Sequence, residues 1–112
     1  MITIDITMDQ EGIIRACRSQ GHALADRPGK DIVCAAVSVL LRTFLRITEF
    51  RDGVIVRADT QKGFIAFNAD YTEKGRVFLF AAGSFLIEGL QSVSLEYPEY
   101  CKITVRRKVY GA

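Results

Sequence analysis

Residues 2–8 read Ile2-Thr3-Ile4-Asp5-Ile6-Thr7-Met8. Apolar and polar side chains alternate with a period of two, the pattern of a strand with one face in a core and the other in water. A turn over residues 9–12 leads into a second candidate strand over 13–20, where Arg15, Arg18 and Gln20 interrupt the apolar positions, so the opening twenty residues form a hairpin. From Gly21 the pattern stops, and Ala23, Leu24, Ala25, Asp26, Arg27, Pro28, Gly29 and Lys30 carry the Pro-Gly punctuation of a mobile loop.

Beyond the loop, Asp31 is placed to cap a long helix over residues 32–50, its carboxylate accepting from free backbone amides at the positive end of the helix dipole. The first half of that helix is apolar nearly all round, which predicts burial on several faces, and Arg42, Arg46 and Glu49 give the second half a polar side. Two short strands follow, near residues 54–58 and 63–69, joined by a Thr-Gln-Lys-Gly turn into a second hairpin. Asp70 or Thr72 caps a second helix reaching residue 96, with Phe78, Ala82, Phe85, Gly89 and Val93 spaced by three or four and the aromatics expected in the core. Gly83 and Gly89 each lower helix propensity by about 1 kcal/mol relative to alanine, so another backbone is expected close by. A last strand is expected over residues 102–109, where Ile103 and Val105 alternate with Thr104 and Arg106. The order is strand-strand-helix-strand-strand-helix-strand. That order predicts an α+β fold: an antiparallel sheet built from two hairpins plus a last strand, with two long helices packed on one face.

At 112 residues, 49% of them hydrophobic and 25% charged, the chain has the size of one domain spanning residues 1–112. Fifteen Lys and Arg against thirteen Asp and Glu leave a net charge of +2, too little to make obligate nucleic-acid binding the default. The longest charge-free apolar runs, residues 32–41 and 77–87, fall short of the roughly 20 residues a membrane span needs. The N-terminus lacks the basic region and apolar core of a secretory signal, so a reducing cytoplasm and free thiols are expected for Cys17, Cys34 and Cys101.

The polar inventory is thin, with one histidine, His22, and no tryptophan. His22 ends a strand and Cys34 lies in the expected first helical turn, with a returning loop between them. Such a thiol would feel both the dipole and the imidazole, which together favour the thiolate nucleophile. Read blandly, Cys34 is a small buried hydrophobe and His22 a hairpin-end side chain with ordinary surface hydrogen bonds. A zinc site from Cys17, His22, Cys34 and Cys101 has suitable ligand types but no two cysteines two to four residues apart, so no metal is expected. Lys102, Arg106, Arg107 and Lys108 read as a solvated strand edge.

Gly21-His22-Ala23, followed by Asp31-Ile32-Val33-Cys34-Ala35-Ala36 and Ser38, resembles the signature of the ribosomal-processing cysteine proteases (Prp), a small bacterial family. The opening Met-Ile-Thr-Ile-Asp-Ile-Thr, Leu90-Gln91, Glu96-Tyr97 and the chain length fit as well. The resemblance implies a homodimeric cytoplasmic thiol protease without a cofactor. It also implies a substrate, the short N-terminal extension of ribosomal large-subunit protein twenty-seven, cut after aromatic residues and before alanine. Position by position, Cys34 matches the nucleophile, His22 the general base, Gly21, Asp31 and Ser38 the supporting positions, and residues 23–30 the loop that moves on substrate entry. Asp31 has two readings, helix cap or third catalytic member. Ser38, one turn past Cys34, can bond near the thiol or back to a helix carbonyl. Amides near the helix start, that of Cys34 included, are candidate oxyanion donors. Two rivals remain: a non-catalytic ribosome-associated dimer docking RNA or a ribosomal protein through the basic last strand, and a structural α+β dimer with no activity.

Overall fold

The computed structural model describes residues 1–21 and 28–111, the side chains of residues 28–31 excepted. The elements run β1 (Ile2–Met8), β2 (Ile14–Gln20), α1 (Pro28–Thr48), β3 (Val54–Gln61), β4 (Phe64–Tyr71), a short 3-10 turn (Glu73–Gly75), α2 (Arg76–Glu96) and β5 (Cys101–Arg107). This is the expected α+β order. The five strands lie in the order β3-β4-β2-β1-β5. Both hairpins are antiparallel, and β4 joins them by pairing antiparallel with β2. β5 pairs parallel with β1, from Ile2 opposite Cys101 to Met8 opposite Arg107, so the sheet is mixed rather than wholly antiparallel. The connection explains it: after β4 the chain crosses the sheet as α2 and re-enters beyond β1 in the direction β4 had, the crossover geometry that joins parallel strands.

Alternation in β1 sets the core. Ile2, Ile4 and Ile6 are buried while Thr3, Asp5 and Thr7 are partly open to solvent. Cys17 and Ser19 on β2 and Ile65, Phe67 and Ala69 on β4 continue the buried face. The helices close it with stripes at helical spacing: Val33, Val37, Leu41, Phe44 and Thr48 from α1, and Leu79, Gly83, Leu86, Ile87 and Leu90 from α2. Phe44 stacks on Phe67 with ring centroids 4.9 Å apart. The Thr48 hydroxyl is buried and satisfied by donating to the Phe44 carbonyl at 2.9 Å.

Several expectations change here. The stripe of Phe78, Ala82, Gly89 and Val93 is only half-buried, and Phe80 and Phe85 are exposed rather than core, because the stripe one position further along faces the sheet. The start of α1 is buried on one face only, with Ile32 and Val39 exposed. Gly83 and Gly89 do make room for neighbours, but these are side chains: a Cβ at Gly83 would meet Ile14 Cγ2 at 2.5 Å, and one at Gly89 would meet Leu40 Cδ2 at 3.0 Å. Counted as one helical segment, Glu73–Glu96 is 24 residues long and contains an 18-residue window of mean hydropathy 1.4, enough on length and composition to cross a membrane, which charge-free runs alone did not reveal. Its Gly83 side is locked over Ile14 and its buried stripe is part of the sheet's core, but only 28% of the apolar window is buried, and Val77, Phe80 and Phe85 face outward.

The β1–β2 turn is organised by a buried carboxylate. Asp9 Oδ1 accepts from the amides of Glu11 (2.9 Å) and Ile13 (3.1 Å), and Oδ2 accepts from the Tyr71 hydroxyl at 2.6 Å. A bulge at Thr7/Met8 sets Arg15 beside this cluster, where it contacts Asp9 at 3.5 Å, donates to the Ala69 carbonyl at 2.9 Å and stacks on Tyr110 at 4.2 Å. Burial pushes the Asp9 carboxyl up, but hydrogen bonds from Tyr71, the Ile13 and Glu11 amides and Arg15 outweigh it and hold it below the ordinary 3.8. Burial and the neighbouring Asp9 push the Tyr71 hydroxyl up to about 12. Asp9 ionised in the fold therefore stabilises it fully above pH 3.8, and that contribution disappears as pH falls through the lower folded value. Tyr71 works in the other direction: its contribution is complete below pH 10 and is lost as pH rises through about 12. Tyr71→Phe leaves Asp9 Oδ2 with only the longer Arg15 contact and should lower stability by about 1–3 kcal/mol, with an acid unfolding midpoint shifted to higher pH, both read by urea denaturation across a pH series.

Candidate active site

α1 begins at Pro28, earlier than the composition suggests, because proline's fixed φ and missing N–H suit the first helical position. Pro28, Gly29 and Lys30 therefore belong to a helix and not to the expected loop. His22, Ala23, Leu24, Ala25, Asp26 and Arg27 lie outside the described residues. Asp31 is the fourth residue of α1 rather than the residue before it, so the expected capping position is not the one it holds. Cys34 is the seventh helical residue, in the second turn. Two consequences follow. The dipole effect fades within the first turn, so it contributes little at Cys34. Only the first four amides of a helix lack an internal acceptor, so the Cys34 amide is not a free oxyanion donor.

The three thiols have different surroundings. Cys17 is buried under the helices, and burial first, then the charge of Asp5, pushes its thiol up to about 12. Cys101 is also buried, which pushes its thiol up. Cys34 is half-buried and lines a cleft of about 400 Å³. Iodoacetamide at neutral pH should label Cys34 in the folded protein and spare Cys17 and Cys101, all three being labelled in denaturant; peptide mapping by mass spectrometry reads the result.

One wall of the cleft is α1, where Cys34, Ser38 and Arg42 recur every four residues on one helical face. The other is the end of the second hairpin, from Thr60 through Ile65, with Ile2, Ser19 and Gly21 at the floor. Among the described residues, Ser38 makes no side-chain hydrogen bond, so neither of its two expected bonds is formed there. Thr60, Gln61, Lys62, Gly63 and Phe64 were not expected at the site. Their place follows from β3–β4 pairing and β4's register on β2, which bring the hairpin turn alongside Gly21, whose amide donates to the Gly63 carbonyl at 3.1 Å.

Gly21 earns its motif position sterically. Its φ of 137° lies in the region that favours glycine, and a Cβ there would collide with the Met1 carbonyl oxygen and lie 2.9 Å from Ile2 Cα. Only glycine lets β2 end this close to the start of β1.

No group of three or more His, Cys, Asp or Glu that could hold a metal ion occurs among the described residues. Of the basic residues at the end of the chain, Arg107 donates to the Gln10 carbonyl at 2.9 Å, Arg106 lies 4.0 Å from Asp5, and Lys108 stands over the Tyr110 ring.

Among the three thiols, Cys34 lies in a cleft walled by a helix and a hairpin, a place where a nucleophile could meet a substrate. The family model for cysteine protease Prp matches residues 1–102, and the chain belongs to that family and is a cysteine protease. No curated protein matches it. Among solved structures it is similar to SMU.848 from Streptococcus mutans, with 25% identity, 96% of each chain covered and a TM-score of 0.80. It shares its fold with the essential ribosomal processing protease Prp from S. aureus in complex with a substrate peptide, at 22% identity, TM-score 0.79, covering 94% of this chain and 99% of that one. The same S. aureus protease with a covalently linked product peptide aligns at 23% identity and TM-score 0.72, again over 94% and 99% of the two chains.

Proposed function

We propose that this protease removes the short N-terminal extension of ribosomal large-subunit protein twenty-seven, with Cys34 as nucleophile and His22 as general base, in the cytoplasm and in support of ribosome assembly. The observation that carries the assignment of Cys34 is the contrast among the thiols: of three, it alone lines a cleft, while Cys17 and Cys101 are buried and held in the thiol form.

In this reaction His22 takes the Cys34 proton, and the thiolate attacks the scissile carbonyl. His22 then gives the proton to the leaving amine as the C–N bond breaks, leaving a thioester on Cys34. Water, activated by the same imidazole, hydrolyses it and restores the thiol. Because Cys34 lies past the first turn of α1, the imidazole is the group on which activation depends, and His22→Ala should suppress cleavage nearly as far as loss of the thiol.

The working form is a homodimer. Ile32 and Val39 on α1 and Val77 and Phe85 on α2 are all more than half exposed, more apolar surface than a helix layer facing water ordinarily shows.

The test is incubation with a peptide carrying the extension and the first residues of the mature ribosomal protein. A single cut after the aromatic residues and before alanine is expected, identified by mass spectrometry. An intact peptide with folded enzyme, or cuts scattered along it, would rule out this substrate.

A further inference from the structure

We infer that the substrate cleft continues past Arg42 into a second, apolar subsite between α1 and the free edge strand β3, where it takes an aliphatic or aromatic side chain about five residues from the scissile bond. This rests on the reading of Cys34 as nucleophile and of the substrate as an N-terminal extension.

Three observations carry it. First, a separate cavity of about 470 Å³ is lined by Leu45, Phe50, Val54, Ile55, Val56 and Ala58, with Arg46, Thr48 and Glu49 as its polar members. Arg42 lines the first cavity and Leu45, one helical turn on, the second; Thr60 lines the first and Ala58, two residues back on the same face of β3, the second. The two are successive parts of one seam. Second, β3 is an edge strand whose core-facing column is progressively uncovered. Val54, Val56, Ala58 and Thr60 pair with Tyr71, Ala69, Phe67 and Ile65, so they face the helix layer. Yet Val54 is buried, Val56 half-buried, and Ala58 and Thr60 exposed. α1 leaves a strip of sheet open, and the outer edge of β3 offers backbone donors and acceptors to an extended peptide. Third, Phe50 sits on the rim of the second cavity with φ of 62° and 97% exposure. An aromatic in left-handed backbone, turned to solvent where glycine would serve the turn better, packs nothing in the fold. Its place at the cavity rim gives it a partner in a bound peptide.

Spacing sets the position. Leu45 is eleven residues beyond Cys34 on one helix, about 16 Å along its axis. An extended peptide covers that distance in about five residues. The inference assigns the subsite to the amino-terminal side of the scissile bond, and the position of the preferred residue in the peptides below tests that assignment.

The probes are synthetic peptides with a Phe-Phe-Ala cleavage core and eight residues on the amino-terminal side, polar throughout except for Leu or Asp placed in turn at the fourth, fifth and sixth positions from the bond. For the wild-type enzyme, Leu over Asp should raise kcat/KM about tenfold at one of these positions, mainly through KM. Phe50→Gly, a change that suits the left-handed turn and does not endanger the fold, should cut that preference below about threefold. Ala58→Asp, at an exposed position, should abolish it. Equal cleavage of Leu and Asp peptides, or a preference unchanged in both variants, would overturn the subsite. The same peptides, fluorescently labelled, are titrated against Cys34→Ala by anisotropy. Discrimination there with no cleavage by the wild type keeps the subsite and rejects the nucleophile; cleavage without discrimination does the reverse.

Discussion

Cys34→Ala is expected to lower kcat/KM for the extension peptide by on the order of 10⁴-fold or more while the protein stays folded. The size follows from the role. A nucleophile that forms the covalent intermediate cannot be replaced by a methyl group, and what survives in such variants comes from binding and oxyanion stabilisation alone. The fold should hold because Cys34 is half-buried at a cleft wall, outside the buried stripe of Val33, Val37 and Leu41, so its truncation should change stability by about 1 kcal/mol or less. Circular dichroism and thermal melting check the fold, and peptide cleavage checks the activity. The His22→Ala variant should behave similarly in the assay but retain a thiol that iodoacetamide labels more slowly.

Gly21→Ala is expected to be strongly destabilising, as are alanines at Gly53 and Gly75, where an added methyl would also meet backbone atoms. The added methyl points at the Met1 carbonyl oxygen and the Ile2 Cα, and the φ of 137° is strained for any side chain. Ile2 is tied on both sides of β1, by its amide to the Tyr100 carbonyl at 2.8 Å and by its buried side chain, so the strand cannot simply step aside. A loss of about 2–4 kcal/mol is expected from overpacking and backbone strain combined, lowering Tm by roughly 10–20 °C. Gly111→Ala is the internal control. Its φ of 91° is equally unsuited to a side chain, but nothing lies within 4 Å of the added carbon, so a much smaller drop separates the collision from the strain. Activity should fall with Gly21→Ala even at temperatures where it is folded, because Gly21 lines the Cys34 cleft.

The strands and helices were legible where one period dominated. β1 matches residues 2–8 because every second side chain there is isoleucine or methionine, and no helical phase fits that run. The parallel pairing of β5 was not legible: Ile103 and Val105 alternate identically beside a parallel or an antiparallel neighbour, and only the α2 crossover decides. In α2 apolar residues occur on all sides, so the stripe through Phe78 and Val93 and the one through Leu79 and Leu90 are equally good patterns. The sheet chooses between them, and Gly83 over Ile14 is what fixes the choice. Pro28-Gly29 has the composition of a loop yet opens a helix, since proline is a starter as well as a breaker.

Of the site, Cys34 was named from its residue type and Gly21 from the resemblance alone; the steric reason for that glycine, its approach to Met1 and Ile2 across the hairpin, was not legible in the sequence. Nor was the far wall. Nothing in Thr60, Gln61 or Lys62 marks them as cleft residues; they arrive there through strand register forty residues from Gly21. The spacing of Cys34, Ser38 and Arg42 was the one available signal for the near wall.

The most direct measurement is acid-quench trapping of the enzyme during turnover of the extension peptide, followed by mapping of the acyl adduct by mass spectrometry. An adduct carrying the N-terminal product, located on the peptide that contains Cys34 and absent from Cys34→Ala, is the predicted result. Turnover that persists with no adduct, or an adduct on Cys17 or Cys101, would contradict the assignment of Cys34 as the nucleophile.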